Sequence, residues 1–123
     1  MQRVLDTTKA ALVANRGKRI IYVTHFVPIL GAMVYAVDRR SWQMATALMG
    51  SAKLGDLLTN RASAVVFGHE HFRDAPKLLG KTTYYHQPLG YGLKRLFEWQ
   101  STDWLTEWRD TLVTLEVPAA LTD

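Results

Sequence analysis

Two stretches that run from apolar residues into histidine decide the fold: IIYVTH at residues 20–25 and VVFGHEH at residues 65–71. Each begins with β-branched and aromatic residues that do not alternate with polar ones, a pattern typical of a strand buried on both faces. His25 ends the first stretch, and His69 and His71 end the second. Functional groups in open α/β sheets gather at the carboxyl ends of the strands. The sequence therefore predicts that these three imidazoles lie near one another.

Helical patterns between and around these strands predict a layered α/β domain. Helices are predicted where apolar residues recur at helical spacing, over residues 4–13 with Gly17 as a stop, 29–37, 42–49, 52–60 after Ser51 as N-cap, and 103–109 after a cap at residues 101–103. Further strands are predicted at residues 82–86, before a loop at 87–92, and at residues 111–117, before Pro118.

Length and composition fit one packed domain. The chain has 123 residues, of which 48% are hydrophobic and 21% charged, so residues 1–123 are expected to form a single, partial domain with a core. The absence of cysteine excludes disulfides, thiolate metal sites and a cysteine nucleophile.

Charge and hydropathy indicate a soluble, cytoplasmic protein. The N-terminal residues carry charges throughout and do not resemble a signal peptide, and the apolar run at residues 26–37 is too short to span a bilayer. The net charge of +4 comes from scattered basic residues without a recognised nucleic-acid motif. We therefore expect no membrane partner, and nucleic acid only as a substrate.

The His-x-His spacing of His69 and His71 bears on how many ions they bind. On an extended chain, the backbones of residues two positions apart are separated by roughly 7 Å. This separation is wide for binding one ion but suits a site with two ions about 3.5–4 Å apart. Gly68 is expected to allow the sharp turn that presents them. A lone histidine after a strand, such as His25, is more often a hydrogen-bonded structural residue than a ligand.

Together these stretches resemble the calcineurin-like, binuclear metallophosphoesterases. VVFGHEH is similar to the family's last signature, an apolar strand followed by Gly-His-x-His, and residues 20–28 resemble the preceding block with its lone histidine. YYHQPLG at residues 84–90 resembles the strand and turn that follow. The resemblance covers residues 1–117 and implies the second half of a two-sheet sandwich flanked by helices.

The resemblance also implies a metal site and a substrate. His25 and His69 would bind one divalent ion and His71 a second, the ions being manganese, iron or zinc, and the substrate would be a phosphomonoester or phosphodiester. Thr24 and Arg73 are candidate phosphate contacts, since arginine offers a bidentate fork. No catalytic residue is assigned. His86 replaces the family's usual asparagine and is interpreted as structural or substrate-facing.

The family's other ligand motifs are absent from these 123 residues. They are Asp-x-His, Gly-Asp with the bridging carboxylate, and Gly-Asn-His-Asp/Glu; neither Asp6, Asp38 nor Asp56 has the required neighbours. Three interpretations stay open: a fragment of a longer enzyme, a chain that pairs with a partner carrying the first half, and a non-catalytic metal-binding or protein-interaction domain. Half a sandwich leaves a sheet face uncovered, so we expect a homo-oligomer or a partner chain.

Overall fold

In the described part of the chain, helices alternate with the first two strands, and two more strands follow before the last helix. The computed structural model describes residues 1–29, 51–69, 71, 73–90, 99 and 101–115. This part contains the helices α1 (Gln2–Ala14), α2 (Ala52–Leu58) and α3 (Trp104–Thr111), and the strands β1 (Ile21–Val23), β2 (Ala64–Phe67), β3 (Asp74–Leu79) and β4 (Thr82–His86). The helices predicted at residues 29–37 and 42–49 lie outside the described residues, except for Ile29. None of the described helices has the length and apolarity that a membrane crossing requires.

The four described strands form one mixed sheet in the order β1-β2-β4-β3. Strands β1 and β4 both run parallel to β2, whereas β3 pairs antiparallel with β4. Parallel neighbours need a crossover connection, and the segment between β1 and β2 contains α2. The α/β class predicted from the sequence is therefore confirmed.

Strand β3 is the element that the sequence did not predict. It forms a hairpin with β4 in which Leu79 pairs with Thr82 across the two-residue loop Gly80-Lys81. Gly80 has a φ of 56°, the left-handed conformation that such hairpin loops favour. Pro76 argued against a strand here, but β3 is the outermost strand on this side of the described sheet, where a missing N–H is tolerated.

One face of the sheet carries the core. The register places Tyr22, Val65 and Tyr84 side by side, and the Tyr22 hydroxyl lies 3.1 Å from the Thr8 hydroxyl of α1. The buried hydrophobic cluster consists of Leu12, Val27, Ile29, Leu54, Leu58, Ala62, Val65, Phe67 and Tyr84. Since α1, α2 and β2 all contribute to it, burial of this cluster holds the helices on the sheet.

The opposite face of the sheet, here called the open face, is only partly covered. Ile21 and Val23 of β1 are 46% and 72% exposed, and Leu78, which shares this face through its pairing with Thr83, is 68% exposed. The prediction that β1 is buried on both faces is therefore wrong. The helices pack on the other face, so only Tyr22 of β1 points toward the core cluster.

Two buried side chains of β4, Thr82 and Tyr84, form hydrogen bonds with α2 and the residues that follow it. Thr82 is fully buried, donates to the carbonyl oxygen of Ala62 at 2.7 Å and accepts from the backbone N–H of Asn60 at 2.8 Å. The Tyr84 hydroxyl lies 2.7 Å from the Thr59 hydroxyl. Burial raises the pKa of Tyr84 above its usual value, while the hydrogen bond to Thr59 opposes this. Because these bonds join α2 and its exit to β4, they fix the helix along the sheet.

Helix α3 begins at the predicted cap but extends further than predicted. The Asp103 carboxylate accepts from the Thr106 backbone N–H at 3.0 Å and from its hydroxyl at 2.8 Å, and these bonds lower the pKa of Asp103. The helix continues to Thr111 and residues 112–115 form no strand, so the strand prediction is wrong for those residues; residues 116 and 117 lie outside the described chain. Trp104 and Trp108 share a face of α3, with ring centroids 6.4 Å apart, and both are exposed.

The backbone of helix α2 lies directly against the backbone of the segment that follows His25. The N–H of Ser51 donates to the carbonyl oxygen of Val27 at 3.1 Å, and a Cβ on Gly55 would overlap the carbonyl oxygen of Pro28. Ser51 occupies the predicted N-cap position, but its side chain makes no capping hydrogen bond. The start of α2 therefore sets the path of residues 27–29.

Gly55→Ala is expected to lower the free energy of unfolding by about 2 kcal/mol or more, because the added methyl group overlaps backbone atoms that have little room to move. Chemical denaturation followed by circular dichroism measures the change. Gly68→Ala is the matched control, since the atoms nearest to a Cβ there lie 3.8 and 3.9 Å away, which is ordinary contact. Equal stability of Gly55→Ala and the control would contradict this close packing.

Candidate metal centre

The pairing between β1 and β2 continues beyond the ends of both strands. The N–H of Thr24 donates to the carbonyl oxygen of Val66 at 2.9 Å, and the N–H of Gly68 donates to the carbonyl oxygen of His25 at 3.2 Å. These bonds keep the two chains side by side as they leave the sheet. His25 and His69 therefore emerge next to each other at the carboxyl ends of adjacent parallel strands, as the sequence predicts.

The two imidazole rings are in direct contact. Nδ1 of His69 lies 3.0 Å from Nε2 of His25, the ring centroids are 4.9 Å apart, and the ring planes meet at 85°. A hydrogen bond between two ring nitrogens needs a proton on one and a lone pair on the other. The pair therefore shares one proton between nitrogens that both serve as metal ligands when deprotonated.

This contact allows a test of whether the pair fits a metal ion. Two nitrogens bound to one tetrahedral zinc at about 2.0–2.1 Å are about 3.3 Å apart. The observed separation of 3.0 Å is close to that distance. Small rotations of the two rings would direct both lone pairs at one ion in place of the shared proton. His25 and His69 fit two positions of a divalent metal site.

The sharp turn at this site occurs at His69 and not at Gly68. His69 has a φ of 74°, whereas Gly68 is absent from the described residues with positive φ. The expectation that Gly68 makes the turn is therefore wrong. A left-handed conformation costs a non-glycine residue roughly 1–2 kcal/mol, and such residues concentrate at functional sites. The turn directs the His69 ring back toward His25.

Phe26 forms an apolar wall against both histidines, and the sequence analysis did not single it out. Its ring centroid is 5.4 Å from that of His25 and 5.4 Å from that of His69. Phe26 is 51% exposed, so its ring covers the pair on one side and meets solvent on the other. Its position directly after His25 was the available sequence signal.

The other predicted site residues are less closely grouped. The described residues contain no group of three or more His, Cys, Asp or Glu side chains placed to hold an ion, so His71 does not join His25 and His69 in such a group. His86 is buried and stacks on Phe67 with centroids 4.6 Å apart and planes 6° from parallel, a packed position in agreement with its structural interpretation. Thr24 is partly buried beside the histidine pair.

Arg73, a candidate phosphate contact, forms an ion pair with a buried carboxylate. Its Nη2 donates to Oε1 of Glu107, a residue that is fully buried, and the second carboxylate oxygen accepts from the Ser101 N–H at 2.8 Å. The Arg73 side chain is 21% exposed. Glu107 is 34 residues away along the chain, and no sequence pattern connects the two. The ion pair attaches α3 to the segment that follows His71.

No protein-family model, curated protein or solved structure matches this chain. A function therefore has to be inferred from the geometry of the site.

Arg73→Ala is expected to destabilise the protein by about 3–5 kcal/mol, because it leaves the Glu107 carboxylate buried without its cation. The loss should be smaller when Glu107→Gln is added, since the neutral amide removes the uncompensated charge. Chemical denaturation of both single variants and the double variant measures the coupling. Additive losses in the double variant would show that the pair contributes nothing as a pair.

Proposed function

We propose that this chain supplies the C-terminal part of a metal-dependent phosphoesterase site, and that the remaining metal ligands come from outside these 123 residues. The observation that carries this proposal is the contact between His25 and His69 at the ends of two parallel strands. It supports the proposal because a pair of nitrogens at ligand spacing at this edge of a sheet is a common basis for metal chemistry.

In this proposal the histidines bind and orient. Nε2 of His25 and Nδ1 of His69 hold one ion, and His71 serves a second. Divalent manganese, iron or zinc, two in the complete site, would polarise the phosphoryl oxygens of the substrate and make water a better nucleophile. Phe26 covers the pair on one side and so limits the approach of solvent from that side.

The substrate is proposed to be a phosphomonoester or a phosphodiester. Thr24 lies beside the histidine pair and is the nearer of the two candidate phosphate contacts along the chain. Arg73 could contact a phosphate only through guanidinium atoms that Glu107 does not engage. Its main contribution in this proposal is therefore to hold the segment after His71 against α3.

A non-catalytic metal-binding or protein-interaction domain is the second candidate. Two observations favour it: the described residues offer two histidines but no third ligand beside them, and the open face carries exposed Ile21, Val23 and Leu78. Exposed apolar residues on one sheet face are typical of a protein contact. Both candidates share the metal-binding pair and differ in whether a complete site hydrolyses a phosphoester.

The open face also supports the expected association with another chain. Its residues lie on neighbouring strands, with Val23 opposite Val66 and Val66 opposite Tyr85. A second sheet packed about 10 Å above this face would bury these side chains. We therefore extend the proposal to a partner, a second copy of this chain or a chain with the missing ligands, that covers the open face.

The metal-binding step predicts that Mn²⁺ binds to this chain and that His25→Ala and His69→Ala each weaken binding about tenfold or more, because each removes one of two nitrogen ligands. Electron paramagnetic resonance of free Mn²⁺ during a titration measures the affinity. Thr7→Ala, an exposed change on α1, should leave it unchanged. Equal affinity in all four proteins would rule out the histidine pair as the site.

Hydrolysis is measured with the same ion, Mn²⁺, and the substrates p-nitrophenyl phosphate and bis-p-nitrophenyl phosphate. Turnover is expected once the missing ligands are present, from an extended upstream reading frame or a partner chain, and His69→Ala should lower kcat roughly 100-fold or more. A complete, metal-loaded form without turnover would favour the non-catalytic candidate. Turnover by this chain alone, lost in His25→Ala/His69→Ala, would contradict the proposed need for outside ligands.

The association step predicts self-association or partner capture that depends on Val23. Val23→Asp places a charge on the open face and should shift the chain toward monomer, because the carboxylate would have to be desolvated in the interface. Sedimentation velocity at micromolar concentration measures the change, with Val13→Asp on the exposed side of α1 as control. A folded monomer in both the parent chain and the variants would argue against association of this chain with itself.

A further inference from the structure

The edge of the sheet opposite the histidines contains a basic cavity, here called the basic groove. It has a volume of ≈ 340 Å³ and is lined by Lys9, Arg16, Lys18, Arg61 and Lys81, together with uncharged residues. None of the described residues that line it carries a negative charge. Five of the chain's 15 lysines and arginines therefore surround one cavity, although along the sequence they are scattered.

The fold brings these cations together from three places. Arg61 precedes β2 and Lys81 precedes β4, so both stand at the amino ends of parallel strands. Lys9 lies on α1, and Arg16 and Lys18 follow its last turn. His25 and His69 follow the other ends of β1 and β2, so about 10–13 Å of strand separates the groove from the histidine pair.

Hydrogen bonds of two asparagine side chains hold parts of the groove walls. The side-chain oxygen of Asn60 accepts from the Lys81 N–H at 2.8 Å, and Asn60 itself has a φ of 66°. A Cβ on Gly80 would overlap that same side-chain oxygen, so a larger residue there would displace the Asn60 side chain. On the other wall Lys18 donates to the Asn15 side chain at 3.1 Å. A cavity with fixed walls loses little conformational entropy when a ligand enters.

A structural explanation accounts for part of this charge. The carboxyl end of a helix carries a partial negative charge that favours nearby cations. Arg16 and Lys18, just beyond α1, fit that explanation. Arg61 follows the end of α2 and fits it as well. Lys9 and Lys81 do not follow a helix end. An anion in the cavity would be attracted by all five cations.

We infer that the basic groove binds a small, multiply charged phosphate-bearing anion, of the size of a pyrophosphate or a nucleoside triphosphate. The volume falls within the range of small-molecule cavities. All five cations line this one cavity, which favours a compact anion over the extended backbone of a nucleic acid. This site is separate from the histidine pair and does not depend on the proposed phosphoesterase activity.

Calorimetric titration with inorganic pyrophosphate and with ATP tests this inference, in buffer of low ionic strength containing EDTA so that no divalent ion contributes. One anion is expected to bind per chain. Lys9→Gln and Arg61→Gln should each weaken binding about tenfold, the effect of one charge-assisted hydrogen bond. Arg3→Gln and Arg109→Gln, exposed cations outside the groove, should leave the affinity within twofold of the parent chain.

Amide chemical shifts of ¹⁵N-labelled protein provide a second measurement that does not depend on a variant. The Gly17 amide, in the groove, should shift on addition of pyrophosphate, whereas the Gly68 amide at the histidine end should not. Absence of binding, or equal weakening by the control variants, would overturn the inference. Tighter binding of a single-stranded oligonucleotide, with shifts that extend beyond the groove, would overturn the assignment to a small anion.

Discussion

The register between β1 and β2 determines where the imidazoles of His25 and His69 lie. Val23 stands opposite Val66, and the ladder continues through Thr24 and then Gly68 before the chains separate. A shift of one residue in either strand would turn its side chains to the other face and separate the two rings. Because Val65 and Phe67 are buried in the core, a shift of β2 is costly. The packing of apolar residues thus fixes the geometry of a polar site.

The conformation of His69 is the least favourable local feature of this site. Its left-handed backbone costs free energy that glycine at the same position would not pay, yet the glycine lies one residue earlier. The contacts that oppose this cost are the Gly68 hydrogen bond to His25, the imidazole contact and the Phe26 ring. An ion held by both rings would add to them, so metal binding and the turn should stabilise each other.

The sequence predicted the elements whose residues follow a simple periodicity. The predictions failed where contacts between residues far apart in the sequence determine the structure. The strand predictions at residues 64–67 and 82–86 were correct because uninterrupted apolar or β-branched runs are typical of buried strands. Strand β3 was missed because Pro76 argues against a strand unless its edge position is known. The exposure of β1 was missed because it depends on which face of the sheet the helices cover. The ion pair of Arg73 with Glu107 was missed because no sequence pattern connects these two residues. The pairing of His25 with His69 could be predicted because it needs only that two strands be parallel neighbours.

The proposed incomplete site and the partly covered open face both involve β1. This strand is outermost in the described sheet, its open face exposes Ile21 and Val23, and its carboxyl end carries His25. A partner that only covered the apolar surface would leave the histidine pair two ligands short of a closed tetrahedral site. A partner that only added ligands would leave the exposed valine and isoleucine in water. The missing ligands and the exposed apolar side chains both lie at β1. One partner element placed over β1 would therefore supply the ligands and cover the apolar side chains together.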